Sequence, residues 1–490
     1  MQIPLLSLLT ITPIAAGVLL LLLPAAKRNL IRGIALGTSV FTLIISVIIF
    51  FTYDTAAAGY QFVEKLDWLP ALGISYHMGV DGIGAAMQLM AGLIVFSGVM
   101  VSWGVEDRPR EFFAFLLFLA ASVFGVFASL DLFQLFFFFE LAVFPKYLMI
   151  VMWGHPKTRE YGAMKLTLYL FLGSMVALVG VLAVYFSSGL GTFNLIELEQ
   201  AGFGIEFQRI WFPVIFLGFG VLGGIFPFHS WAPDGHVAAP TAVSMLLAGV
   251  EMKVGVFAAL RVGLMLLPDG MRIWAPLIFV LATINVVYGA FIAMIQKDFK
   301  YVIGFSSVSH MGLVFIGFAT LTPEGLTGAG LQMFSHGIMT ALFFAVVGMV
   351  YDRAHTRDIR ELGGLYKVMP IAALGFIVGG LVSMGMPGFS GFIAEMPIYI
   401  GAWKSVPLVA IISSISIVVT AAYILLVARR VFFGDVPEGI KSGLSDITSM
   451  DKAVVILLSV ILLVVGVFPS VLVPWIEAGV RHILVLTGGG

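Results

Sequence analysis

The stretch Phe136-Phe137-Phe138-Phe139-Glu140-Leu141-Ala142-Val143-Phe144 sets one carboxylate inside an otherwise apolar run, and the solvent around that run decides the fold. No adjacent polar residue shares the cost of Glu140. A lone charge at the centre of a bilayer costs about 2.5–3.5 kcal/mol on insertion scales. Such a side chain is kept mainly where it pairs, faces a hydrated cavity or carries ions. The rest of the chain has the same character: 60% of its 490 residues are hydrophobic and 11% are charged. Soluble domains carry roughly 25% charged residues, so water is not the main solvent here. Apolar runs of about 20 residues, each enough for one crossing, follow one another from end to end. The expected fold is an all-α polytopic membrane protein, with residues 1–490 as a single membrane domain.

Fourteen spans are expected, near 3–24, 30–53, 80–103, 112–129, 131–153, 161–187, 211–229, 239–266, 273–295, 301–320, 326–351, 369–400, 406–432 and 452–476. The first run, Ile3 to Pro24, is too long for the apolar region of a cleaved signal peptide and lacks a basic start, so it reads as a retained span. The longer loops near 54–79 and 188–210 are expected to carry small interfacial helices, and no strand is predicted. Basic residues crowd the loops after odd-numbered spans, among them Lys27, Arg28, Arg108, Arg110, Lys157, Arg159, Lys297, Lys300, Arg353, Arg357, Arg429 and Lys441. The opposite loops and the termini hold few, such as Lys65, Arg209, Arg261, Arg272, Lys404 and Arg481. That imbalance places the first set in the cytoplasm and both termini outside.

Against this background, Lys146, Lys165, Lys253, Glu140, Glu251 and Glu395 all fall within predicted spans. The bland alternative is that those near span ends snorkel to the interface, an alternative strongest for Lys146. His229, His236, His310 and His336 lie in or beside spans. Histidine titrates nearest physiological pH and suits a proton relay, although a buried histidine bonded to a carbonyl is equally ordinary. No HxxxH-like pair falls on one helix, so zinc is not expected. There are no cysteines, which excludes disulfides, thiolate-held iron–sulfur clusters and CxxCH haem attachment. The net charge of −1 argues against a nucleic-acid partner.

Two backbone breaks complete the pattern. Gly223-Gly224-Ile225-Phe226-Pro227-Phe228-His229 interrupts span seven, and Met384-Gly385-Met386-Pro387-Gly388-Phe389-Ser390-Gly391 interrupts span twelve just before Glu395. Irregular backbone at membrane depth is tolerated where protein or water covers it. One break in each half suggests inverted repeats with an ion route at each. Residues 1–111 would hold helices one to three, 112–266 and 273–432 the two five-helix repeats, and 452–490 the C-terminal helix and tail.

These motifs resemble the antiporter-like membrane subunits of respiratory complex I, shared with multisubunit sodium/proton antiporters and membrane-bound hydrogenases. Phe136-Phe137-Phe138-Phe139-Glu140 resembles the family's fifth-helix glutamate motif. The run Pro227-Phe228-His229-Ser230-Trp231-Ala232-Pro233-Asp234-Gly235-His236 is similar to its P-x-H-x-W-L-P-D-A-H signature. Gln296-Lys297-Asp298-Phe299-Lys300, Ser309-His310-Met311-Gly312 and Ser335-His336-Gly337 resemble further hallmarks. Gly79-Val80-Asp81-Gly82 and Tyr351-Asp352-Arg353-Ala354-His355 point to the M-type branch, and the short stretch after span fourteen is unlike the long lateral helix of the L-type subunit.

The resemblance implies roles. Glu140 would modulate a partner lysine, Lys165 and Lys253 would be the sixth- and eighth-helix lysines, and His229 is the signature histidine. His310 and His336 would relay protons, and Glu395 would stand at the exit. Opening and closing buried ion pairs would load and release protons. The chain would be a non-redox subunit of a translocating NADH (or related donor):quinone oxidoreductase-type complex. NADH, FMN, iron–sulfur clusters and quinone would sit in partner subunits, with no cofactor in this chain. L-type and N-type neighbours and the lipid bilayer would be its partners, in a bacterial-type inner membrane. One departure stands out: the family's helix-seven lysine, seven residues before the motif histidine, is Leu222 here. Lys146 on helix five is unusual, and Glu251 is an extra acid beside Lys253. Either the switching lysine has moved to Lys146, or that half-channel is degenerate. Two further readings stay open, a sodium/proton antiporter subunit without a redox partner and a purely structural subunit.

Overall fold

The structure, a computed structural model, describes residues 3–57, 59–441 and 444–488. Among them, thirteen helices are long and apolar enough to cross a membrane. The first eight of these are Leu5–Leu22, Arg28–Thr52, Gly82–Gly104, Pro109–Ala128, Leu132–Trp153, Arg159–Ser188, Ile205–Gly223 and Thr241–Leu264. Pro268–Ile295, Phe299–Ala319 and Pro323–Ala354 follow as spans nine to eleven. The twelfth span is divided into Pro370–Ser383 and Ser390–Ser405, which accounts for the fourteenth crossing. Pro407–Val431 and Ser449–Val467 are spans thirteen and fourteen. Span fourteen ends earlier than its hydropathy suggests, and a separate helix, Val473–Thr487, folds back against span three.

Acidic and hydroxyl caps explain where several spans begin. Asp81 accepts from the Gly84 amide at span three, and Asp131 from Phe133 and Gln134 at span five. Asp298 caps span ten and Thr322 caps span eleven. Each satisfies amides that a helix start leaves orphaned.

Both predicted breaks are present, and the chain around them meets their exposed backbone groups. At span seven, Gly224 takes the left-handed conformation that ends Ile205–Gly223, and the helix resumes as Trp231–Ala238. Asn285 of span nine accepts from the Phe226 amide at 2.5 Å and donates to the Gly224 carbonyl at 2.7 Å. The Trp231 indole donates to the Val221 carbonyl. At span twelve, Gly385 and Gly388 turn the chain with positive φ. Span fourteen crosses this second break at Gly466, where a Cβ would stand 2.3 Å from Phe389 Cα.

The 54–79 loop corrects the sequence reading. Instead of an interfacial helix it holds an antiparallel hairpin, β1 (Gln61–Leu69) and β2 (Ile74–Val80). Alternating polar and apolar residues in Lys65-Leu66-Asp67-Trp68 were the available signal. Asp131, besides capping span five, accepts from the Ser75 amide and hydroxyl, which fixes the hairpin across the helix ends. Strand β2 runs into Gly82-Ile83-Gly84, but Met87 holds the third position and the pairing is antiparallel, so this is no dinucleotide-binding fingerprint. The 188–210 loop does carry a short helix, Leu195–Leu198.

Along their most apolar stretches, spans eight and eleven are enclosed by other helices, and span ten nearly so. Spans one, six and fourteen leave most of their length uncovered by the rest of the chain. The enclosed helices are the ones that carry Glu251, Lys253, His310 and His336.

Candidate functional site

Span eight is wound wide in two places, π-helical over Leu247–Glu251 and again over Ala259–Leu264. Such bulges recur at functional sites because they displace carbonyls from the regular ladder. Here the Ala248 carbonyl accepts from Lys253 Nζ at 2.6 Å. The same ammonium lies 2.7 Å from His336 Nδ1 on span eleven. The two helices approach this closely because Gly249 and Gly337 face each other. A Cβ on Gly337 would stand 2.2 Å from the Met90 sulfur and 2.8 Å from the Gly249 carbonyl. Lys253 is fully buried, and no carboxylate bridges it among the described residues. Its neighbour His336 must offer Nδ1 as an acceptor whenever Lys253 is protonated.

From His336 the polar groups continue. Its ring stands 5.3 Å from that of His310, so transfer between them takes an intervening water or a ring rotation. His310 Nδ1 lies 3.1 Å from Glu395 Oε1, and His310 Nε2 is 2.9 Å from the Ser383 hydroxyl. Gln332 donates to the same Glu395 oxygen at 3.2 Å. Glu395 therefore sits just beyond the span-twelve break and holds the end of a buried chain that begins at Lys253.

The first half is arranged differently. Glu140 and Lys146 lie on two helical segments of span five, Leu132–Leu141 and Val143–Trp153. Glu140 Oε1 has no hydrogen-bond partner among the described residues. Lys146 bridges not Glu140 but Glu251, with Nζ 2.7 Å from Oε2 and the two side chains 1% and 0% exposed. This corrects both expectations for Lys146: it does not snorkel, and its carboxylate is on span eight. The six-residue offset from Glu140 turns Lys146 to another face of the helix, and span eight lies on that face. Leu222, where a lysine was expected, packs on Gly255 of span eight.

A second, more open group surrounds Lys165, with the buried His229 in the same broken-helix region. Lys165 Nζ pairs with Asp234 Oδ2 at 2.6 Å, and the Tyr301 hydroxyl donates to Asp234 Oδ1. His229 stacks on Phe226 and meets Tyr288 edge-on. Asp234 was visible within the signature motif but was not singled out, because its partner lies 69 residues away.

On the side of the basic loops, a cavity of about 410 Å³ is lined by His155, Lys300, Asp352 and Arg357. Lys300 was assigned to a loop edge, yet its ammonium is buried and donates to the Ala239 carbonyl and the Ser244 hydroxyl. His236, fully buried nearby, has neither ring nitrogen hydrogen-bonded among the described residues. Burial, and the Arg357 guanidinium, push the His155 imidazole below its ordinary pKa. Arg261 is a second misplaced cation. It is buried in the second wide turn of span eight, 2.6 Å from Asp81. It also lies against the rings of Phe257 and Tyr60.

Residues 129–420 match the sequence profile of the family described as "NADH:quinone oxidoreductase/Mrp antiporter, TM". The chain belongs to this family. It is 36% identical to NADH-quinone oxidoreductase subunit M of Rhodobacter capsulatus, covering 98% of this chain and 96% of that protein. It is also 36% identical to NAD(P)H-quinone oxidoreductase chain 4-2 of Synechocystis sp., over 88% of this chain and 78% of the relative. A chain of respiratory complex I from Thermus thermophilus superposes with a TM-score of 0.89 at 29% identity, over 98% and 99% of the two chains. A chain of the Mrp complex from Dietzia sp. shares the fold, with a TM-score of 0.86 at 20% identity, over 98% and 97%. These similarities bear out the M-type branch and favour it over an antiporter subunit without a redox partner. As a family member, the chain is a multi-pass membrane subunit.

Proposed function

We propose that this chain translocates protons as the M-type membrane subunit of a complex I-like NADH (or related donor):quinone oxidoreductase. The observation that carries this reading is the buried polar chain Lys253–His336–His310–Glu395, held in helices that other helices enclose. Buried titratable groups in such a place are expensive and are kept for ion pathways. A proton on Lys253 can pass to His336, then to His310 and to Glu395, with the broken span twelve opening beyond it. The polar cavity at Lys300 and Asp352 is the inlet on the basic side, and Lys165–Asp234 with His229 forms a second polar group at the span-seven break.

With no cysteine in its sequence, the chain is a non-redox subunit. NADH, FMN, iron–sulfur clusters and quinone belong to its partners. Its neighbours are L-type and N-type subunits in a bacterial-type inner membrane, and the basic-residue asymmetry supports both termini outside.

The test is proton uptake by vesicles holding the whole complex, comparing native protein with Lys253→Ala at matched assembly. The expected result is a lower proton-to-electron ratio with the complex intact. A native ratio in the variant would overturn the reading.

A further inference from the structure

We infer that Tyr423 of span thirteen fixes, through Ser383, which nitrogen of His310 carries the mobile proton. This assignment rests on the proton-translocating reading above. Span thirteen has its polar side chains turned inward. Ser413, Ser416, Thr420 and Tyr423 recur every three or four residues and are buried, while Ile411, Ile415, Val418 and Leu425 are exposed. Polar groups kept inside a membrane bundle mark ion routes. The helix comes close to the relay at Gly380 of span twelve, where a Cβ would stand 2.7 Å from Ile424 Cγ2.

The hydrogen bonds around Tyr423 run in one direction. Its hydroxyl donates to Ser306 Oγ of span ten at 2.7 Å. Its other hydrogen-bonding neighbours are the hydroxyls of Ser383 and Thr420. A phenol has one hydrogen to give, so the Tyr423 oxygen accepts from Ser383. With its hydrogen so engaged, Ser383 Oγ accepts from His310 Nε2 at 2.9 Å. The N–H of a neutral His310 is therefore on Nε2, and Nδ1 is left to gain and lose a proton. Nδ1 faces Glu395 Oε1 at 3.1 Å. Gln332 Nε2 lies 3.3 Å from that nitrogen and 3.2 Å from that oxygen, a donor for whichever end lacks the proton. Towards the basic loops, the rings of Phe299, Phe376 and Phe432 pack together, so the line of hydroxyls ends at Ser306.

With Nε2–H held by Ser383, one proton lies between His310 Nδ1 and Glu395 Oε1, and the pair is neutral whichever atom holds it. In the transfer one Nδ1–H bond breaks as one O–H bond forms on Glu395, and no electrons change hands. Rotating the His310 ring would pull Nε2 from Ser383, so a proton from His336 arrives through water. Without the Tyr423 hydroxyl, Ser383 is free to donate to Nε2 instead. The proton of the neutral ring then moves to Nδ1, where it blocks the next one. Tyr423 and Ser383 are thus positioning residues for the transfer to Glu395.

The experiment compares Tyr423→Phe, Ser383→Thr, Ser383→Val and Lys253→Ala in vesicles with the whole complex. It reads assembly, coupled quinone reduction with its solvent deuterium isotope effect, and the proton-to-electron ratio. Tyr423→Phe keeps the ring and is expected to assemble, with turnover about tenfold lower, the scale of one hydrogen bond. Its isotope effect is expected to exceed the native one, because the transfer from His310 to Glu395 becomes limiting. Ser383→Thr keeps a hydroxyl and is expected to turn over as the native complex does, whereas Ser383→Val, of the same shape, repeats the loss. Should Tyr423→Phe fail to assemble, the Ser383→Thr and Ser383→Val comparison decides the matter. Native turnover in Tyr423→Phe, a loss there with an unchanged isotope effect, or equal turnover in the two Ser383 variants would overturn the assignment. A native ratio in Lys253→Ala would instead overturn the translocation reading itself.

Discussion

Each half of this protein carries a broken span, and the two differ in how their charges are held. In the second half, Glu395 is tied to His310, and a line of side chains leads from there back to Lys253. In the first half, Glu140 has an unpartnered oxygen, and the lysine expected on helix seven is Leu222. The buried cation has instead come from span five and found its acid on span eight. The comparison teaches that a membrane interior constrains the balance of charge more tightly than it constrains which helix supplies each charge. A buried ammonium needs a partner, but any helix that packs within reach can offer one.

The sharpest way to break the comparison is to neutralise the carboxylate at each fifth- and twelfth-span site in turn. Glu395→Gln is expected to slow coupled quinone reduction by about a hundredfold, the low end of what a positioned proton-transfer group contributes. Glu140→Gln is expected to cost clearly less, because its carboxylate touches no member of the Lys253 chain. Equal losses in the two variants would mean that the halves work alike despite their geometry.

A smaller effect tests the helix contact that brings Lys253 to His336. Gly337→Ala places a methyl where Met90 and the Gly249 carbonyl already stand. Overpacking of this kind costs about 1–3 kcal/mol, read as a lower Tm of the purified complex, with turnover falling alongside. An unchanged Tm would mean that spans eight and eleven have slack that the packing does not show.

The smallest expected effect is at the basic-side cavity. Burial, and then the Arg357 guanidinium, hold His155 below its ordinary pKa of 6.5. An unfolded chain takes up a proton there as pH falls through 6.5, while the folded chain resists it, so folding stability declines with acidity over that range. His155→Gln is therefore expected to lose less Tm than the native protein between about pH 7 and about pH 5. A steeper loss in the variant would reverse the assigned sign.

Hydropathy made the fourteen crossings legible, because the requirement to bury about 20 apolar residues per crossing acts on contiguous sequence, and clustered glycine and proline marked both breaks. The β1–β2 hairpin was missed because its short alternating strands lie among runs far more apolar than themselves. Arg261 and Lys300 were misread as loop-edge cations because they stand near span ends, where snorkelling is ordinary. Nothing local announces Asp81 as the partner of Arg261, or the Ala239 carbonyl and Ser244 hydroxyl as acceptors for Lys300.

By itself, then, the sequence determined a polytopic helical membrane protein, its family, the positions of its broken helices and a short set of charges that had to be compensated. Only the tertiary structure decided the compensation: Lys146 with Glu251 across 105 residues, and Lys253 with His336 across 83. The reason is physical. Insertion into a bilayer is governed by the apolarity of each segment, which is local, whereas a buried charge is stabilised by whatever lies within a few ångströms, which only the packing of distant helices can supply.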